Sequence, residues 1–195
     1  MDSESTTLKR HSFRWWLGGL LCGIAVTVAA FQVEWSTPVY GDTQVYFSPR
    51  GGCTEAVIAN LNAATNSIYV QAYSFTSAPI AKGLVDAHKR GVHVEIILDK
   101  SQKGEKYSSA DFVQRAGIPT YIDSKHAIAH NKIMIIDGYK LLTGSFNFTS
   151  AAENSNAENL LVIVNSRLAR VYSDNWKAHA AHEVVYQGRP PLKEH

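Results

Sequence analysis

His130 to Asn159 reads HNKIMIIDGYKLLTGSFNFTSAAENSNAEN, and the fold follows from this stretch. Two apolar runs, Ile128 to Ile136 and Tyr139 to Thr143, flank the pair Asp137-Gly138. Asp-Gly between apolar runs is a strong short-range signal for a β-hairpin, because both residues tolerate the positive φ such a turn needs. Side chains alternate along a strand with a period of two. His130 and Lys132 then share one face, and Asn131, Ile133 and Ile135 take the other. On the returning side Ser145 and Asn147 share a face, with Phe146 and Phe148 opposite. Glu158 opens the next strand. One sheet edge is thus expected to gather an imidazole, an ammonium, a hydroxyl, an amide and a carboxylate.

Outward from the hairpin, strands and helices alternate. Gln44 to Ser48, Ser67 to Tyr73, Val92 to Leu98, Thr120 to Ile122 and Leu160 to Val164 read as strands, rich in β-branched and aromatic residues. Thr54 to Ala64 places Val57, Ile58 and Leu61 at helical spacing. Pro79 to Arg90 is a second helix, with proline in its first turn and Gly91 just past its end. Ser108 to Ala116 is a third, closed by Gly117, and Ser166 begins the last, with Leu168, Val171, Tyr172 and Trp176. No internal repeat is present. The order predicts an α/β sandwich around a mixed β-sheet.

The chain has 195 residues, of which 45% are hydrophobic and 18% charged, which excludes a wholly disordered polymer. A formal net charge of +2 is too small for a protein that coats polyanions, so any nucleic-acid contact must come from a local patch. Two cysteines, Cys22 and Cys53, exclude a disulfide scaffold and a cysteine-rich zinc site. Residues 1–16 are polar and include Lys9, Arg10 and Arg14, and Leu17 to Phe31 follow without a charge. This pattern fits a signal peptide, with Val28-Ala29-Ala30 as the cleavage site. Counting in Trp15 and Trp16, it also fits a short retained membrane anchor. Residues 1–30 are therefore read as signal or anchor, 31–43 as linker and 44–190 as the catalytic domain. The domain is expected outside the inner membrane, periplasmic or secreted, or else tethered by the anchor.

The chemistry expected at the sheet edge is that of an anion site holding a nucleophile. Lys132, Ser145 and Asn147 can grip phosphate oxygens, and His130 can attack or donate a proton. Glu158 can hold the far ring nitrogen and fix the tautomer. Other histidines read blandly. His126 and His130 lie four apart, a ligand spacing only on a helix, so no metal site is expected. His179 and His182 read as solvated or partly packed residues of the last helix. Lys100, Lys103 and Lys106 lie in a Gly-containing loop after a strand that is either simply solvated or borders a substrate groove.

His130-x-Lys132-x4-Asp137 followed by Gly144-Ser145-x-Asn147-x-Thr149 resembles the HKD signature of the phospholipase D superfamily. Ala72-Tyr73-Ser74-Phe75-Thr76, GSFNFT and Asn156-Ala157-Glu158-Asn159 are similar to segments of its small secreted bacterial endonucleases, which carry a single motif. The resemblance spans about Gln44 to Tyr186. It implies a phospholipase D-like α-β-α sandwich with one HKD half-unit per chain. It also implies a phosphodiesterase without metal or other cofactor, in which one histidine attacks phosphorus and a second protonates the leaving oxygen. With one HxK per chain, the resemblance implies a homodimer whose two copies of His130 face each other across a two-fold axis. His130, Lys132, Asp137 and Glu158 would be catalytic, and Lys132, Ser145 and Asn147 would bind phosphate. Asp137 has two readings. Its parity and its Asp-Gly turn make it a turn residue, whereas the signature counts it in the motif. The expected substrate is DNA, with RNA beside it. The alternative is a membrane-anchored phospholipase acting on lipid headgroup phosphodiesters.

Overall fold

A computed structural model describes residues 42–189 of the chain. The expected signal or anchor and nearly all of the linker lie outside these residues. Strands β1 (Thr43–Ser48), β2 (Ser67–Ala72), β3 (His93–Asp99), β4 (Thr120–Asp123), β5 (Lys132–Ile136), β6 (Lys140–Gly144), β7 (Glu158–Val164) and β8 (Val184–Val185) form one sheet, in the order β1-β7-β6-β5-β2-β3-β4-β8. Strands β2, β3 and β4 run parallel, and every other pairing is antiparallel. The sheet is therefore mixed, as expected.

Helices cover both faces. On one side lie α1 (Cys53–Ala63), α2 (Ala78–Lys89), α3 (Ala110–Arg115) and α4 (Ser150–Asn154), with Leu61, Ile80, Leu84, Phe75, Phe146 and Phe148 buried against Ile68, Ile96, Leu98 and Met134. On the other lies α5 (Ser166–Ala180), whose Ala169 and Trp176 pack on Ile97, Ile133, Ile135 and Leu141. Two covered faces explain why β5, KIMII, is buried along its whole length: a strand between two helical layers must be apolar on both sides. α1 and α2 approach closely because Gly83 offers only hydrogen to Leu61, where an added Cβ would stand 3.1 Å from Leu61 Cδ1. Asn165 caps α5 by accepting the Leu168 amide at 3.0 Å.

Four elements differ from expectation. β5 starts at Lys132, four residues later than Ile128, because side chains hold the preceding segment. Ala129 donates its amide to Asp99 Oδ2 at 2.8 Å, and His126 donates its amide to Asp123 Oδ1 at 3.1 Å. The loop after β3 opens with a 3-10 turn, Lys100–Lys103, under the Asp99 side chain, which accepts the Ser101 amide at 2.9 Å. The short α4 and the two-residue β8 carry too few residues to show a period. No helix among the described residues is long and apolar enough to cross a membrane.

Candidate active site

The strand directions place the expected residues together. β1, β2, β3, β4 and β6 all end at one edge of the sheet, where β5, β7 and β8 begin. His130 and Lys132 enter β5 there, Ser145 and Asn147 leave β6, Glu158 opens β7, and Tyr73 leaves β2. Neighbouring strands are about 4.8 Å apart, so these groups lie side by side along an edge a few strands wide.

Lys132 is the pivot. Its residue is only 7% exposed. Its ammonium donates to the His130 carbonyl at 2.8 Å and lies 3.1 Å from His130 Nδ1 and 3.2 Å from Nε2. An ammonium has donors only, so a bond to that ring requires a nitrogen lone pair. Burial pushes the Lys132 pKa below its usual value, and the Glu158 carboxylate pulls it the other way. The Tyr73 ring is 4.5 Å from the His130 ring, centroid to centroid, and 5.1 Å from Lys132 Nζ. It walls the pair from the β2 side. Tyr73 stands in the segment Ala72 to Thr76, and its position directly after β2 is what brings it to this edge.

The GSFNFT segment divides its labour. Gly144 has φ 149°, and a Cβ there would meet the Asn159 carbonyl oxygen at 2.3 Å, so β6 can pass β7 only as glycine. Ser145 Oγ accepts from the Asn159 amide at 3.0 Å and from Asn159 Nδ2 at 3.2 Å. Both acceptor positions of the hydroxyl are thereby used, and its proton is left to donate to an anion. Phe146 and Phe148 are buried in the core, as the period of two requires. Asn147 Oδ1 is buried with no hydrogen-bond donor. Thr149 caps α4, accepting the Ala152 amide at 3.1 Å. In α4, Glu153 accepts the amides of Gly52 at 3.2 Å and Thr54 at 2.7 Å, tying the start of α1 to this edge.

Two expected contacts turn out differently. Glu158 accepts from Asn156 Nδ2 at 3.3 Å, and within one chain it is Lys132 that occupies the imidazole nitrogens. Asp137 is not brought to the site at all. It sits past the far end of β5, about 17 Å from Lys132 at about 3.3 Å per residue. There it accepts the amides of Thr65 at 3.0 Å, Asn66 at 2.7 Å and Ser67 at 2.9 Å, and the Thr65 hydroxyl at 3.1 Å. The Asp137 backbone has φ 53°. It is a turn residue that fastens the β5–β6 hairpin to the α1–β2 connection. The histidines read as bland also differ: His126, His179 and His182 meet Glu183 farther along the active edge. No local spacing could have revealed this, because the β4–β5 connection and the end of α5 are far apart in sequence.

Comparison with known proteins agrees with this geometry. The family described as "Cardiolipin synthase, PLD-like domain" matches residues 57–179. A phospholipase D of Rickettsia bellii is 45% identical over 135 residues, 69% of this chain and 67% of the relative, so the match spans about two thirds of that protein's length. The crystal structure of a phospholipase D family member, Nuc from Salmonella typhimurium, superposes with a TM-score of 0.73 at 38% identity, covering 75% of this chain and 99% of Nuc. NucT from Helicobacter pylori shares the fold, with a TM-score of 0.68 at 20% identity. With its sheet, its layers and its His130–Lys132 edge in this arrangement, the chain belongs to the phospholipase D superfamily of phosphodiesterases.

Proposed function

We propose that this chain is an endonuclease that cleaves DNA, and RNA beside it, without a catalytic metal, at a site completed by a second copy of itself. The observation that carries the nucleic-acid reading is the row of cations on the connections leaving the active edge. Lys100 and Lys103 follow β3, Lys125 follows β4 and Arg50 follows β1, alongside Lys132. Lys100 Nζ donates to the His126 carbonyl at 3.1 Å, which holds it against the segment leading to His130. A row of cations beside a phosphate site suits a repeating anionic backbone better than a single headgroup. The match to nearly the whole of Nuc adds weight to this reading.

In the first step a nitrogen of His130 attacks phosphorus, forming a P–N bond as the P–O bond to the leaving strand breaks. The second copy's imidazole gives its proton to the leaving oxygen. That imidazole then takes a proton from water, whose oxygen attacks phosphorus and releases His130. The Lys132 ammonium offsets the charge on the phosphate oxygens, and the Ser145 hydroxyl donates to one of them. The chemistry calls for a composite site, because one imidazole cannot be nucleophile and acid in the same step. Apolar Ile128, 59% exposed, lies two residues before His130, and Phe47, 64% exposed, lies near the end of β1 at the same edge. Both supply the kind of surface that a second copy covers. The expected setting remains export from the cytoplasm, with or without an anchor.

The phospholipase reading has its own observation: the Rickettsia relative is called phospholipase D and the matching family cardiolipin synthase. Plasmid DNA, RNA and phospholipid vesicles, assayed in parallel with and without millimolar EDTA, separate the readings. Nicking of DNA that persists in EDTA is the expected result. Headgroup release without nicking would replace the nuclease reading, and activity abolished by EDTA and restored by Mg2+ would overturn the mechanism.

A further inference from the structure

A second cluster of side chains lies three strands from Lys132 along the active edge. His126 comes from the β4–β5 connection, His179 from the last turn of α5, and His182 and Glu183 from the turn into β8. One donor atom from each of the four lies within 4.8 Å of the others. The three rings gather with centroids 4.9 Å apart for His126 and His179, and 5.7 Å from each of these to His182. Behind them sits Asp123, whose side chain is wholly buried. Its Oδ2 lies 2.9 Å from His126 Nδ1 and 3.3 Å from His179 Nδ1. A carboxylate behind Nδ1 fixes the tautomer and leaves the Nε2 lone pair facing outward, which is how metal-binding imidazoles are oriented.

Glu183 provides a second, independent observation. Its side chain is 0% exposed, and neither carboxylate oxygen accepts a hydrogen bond of good geometry. His182 Nε2 lies 3.2 Å from Oε1, inside the same cluster. Burying a carboxylate without a partner is costly, and a cation among the four donors removes that cost.

We propose that His126, His179, His182 and Glu183 form a structural site for a divalent transition metal of the zinc class. Three imidazoles and one carboxylate form a donor set that zinc accepts, and a tetrahedral ion with bonds of about 2.0–2.1 Å places its ligands about 3.4 Å apart. Four protein donors leave no open position, so the ion holds structure instead of activating water. It clips the two-residue β8 and the C-terminus of α5 to the connection that runs from His126 to His130. The site is independent of the phosphodiesterase reading, and its test does not use turnover.

Full-length protein is stripped with a chelator, dialysed and titrated by calorimetry with Zn2+ alone, and with Mg2+ in a parallel cell. The expected result is one Zn2+ per chain, no comparable Mg2+ uptake, and a higher Tm with Zn2+. Asp123→Asn should weaken Zn2+ binding 10–100-fold, about the cost of losing a group that orients a ligand. His182→Ala and Glu183→Ala should lose stoichiometric binding, and His130→Ala should keep it. Co2+ bound to the wild-type protein should show the intense visible bands of a tetrahedral ion, a measurement that stands even if the variants fail to fold. Absence of stoichiometric Zn2+ uptake, wild-type affinity in folded His182→Ala and Glu183→Ala, or the weak bands of octahedral Co2+ would each overturn the site.

Discussion

At the end of β5 where the strand begins, Lys132 is buried with its ammonium against His130, and the nearby Asn147 oxygen has no donor. At the other end Asp137 collects the amides of Thr65, Asn66 and Ser67, and the Thr65 hydroxyl. Its pKa illustrates the balance: burial alone would raise it, yet the hydrogen bonds hold it below the usual carboxylate value. One motif therefore spans two environments. In the first, an ammonium and an imidazole face each other at the sheet edge. The second is complete, and the chain itself satisfies it. A linear signature can thus join residues of a candidate site to one that fastens the hairpin carrying them.

If the comparison is right, substitutions at the two ends fail in different assays. The largest effect belongs to His130. Its alanine variant should lose at least about 10³-fold in turnover, as removal of a covalent nucleophile does, with an unchanged urea midpoint. If the proposed composite site is right, mixed dimers of wild-type and His130→Ala chains should be nearly inactive. A mixed dimer at half the wild-type rate would show that each chain works alone. Lys132→Ala comes next, with an expected loss of about 10²–10³-fold in kcat, the range for one donor to a developing anion. Its unfolding free energy should not fall, since the substitution removes a desolvated charge. A large loss of stability there would mean that Lys132 holds the fold, and the contrast between the ends would collapse.

Asp137→Ala should do the reverse. Removing an acceptor that caps several amides costs about 1–2 kcal/mol, while turnover per folded molecule stays at the wild-type level. Thermal unfolding should register this as a drop of about 2–4 °C per kcal/mol for a domain of this size. A hundredfold fall in kcat with an unchanged Tm would return Asp137 to the catalytic group. The smallest effect is its pH dependence. Because the folded pKa is depressed, the stabilisation is fully present above the unfolded value of about 3.9 and is lost as pH falls through the lower folded value. The stability gap between wild type and Asp137→Asn should therefore be constant near neutral pH and shrink below about pH 4. Urea unfolding at a series of pH values reads this directly. A gap that widens on acidification would contradict the assignment.

Much of this was legible from residues alone because it rests on local periods. The alternation that buries Phe146 and Phe148 also turns Ser145 and Asn147 the other way, and the Asp-Gly turn brings β6 back beside β5. The same reasoning reached too far at Ile128, because an apolar residue says nothing about where its backbone hydrogen bonds go. The Asp99 side chain takes the Ala129 amide and shortens the strand. It also over-connected Glu158 to His130: strand parity places both at one edge but does not set a distance between them.

Local pattern alone gives the alternation of strands and helices and the α/β sandwich, and it places His130, Lys132, Ser145, Asn147 and Glu158 at one sheet edge. Each of these follows from side-chain period, turn chemistry or residue type within a short window. Three-dimensional packing is what shows that Asp137 lies past the far end of β5, that Tyr73 walls the His130–Lys132 pair, and that His126, His179, His182 and Glu183 meet. Those facts depend on strand order and on the packing of α5 across the sheet, which bring together residues more than fifty positions apart. Hydrophobic burial sets that packing, and it leaves no local pattern from which polar neighbours can be read.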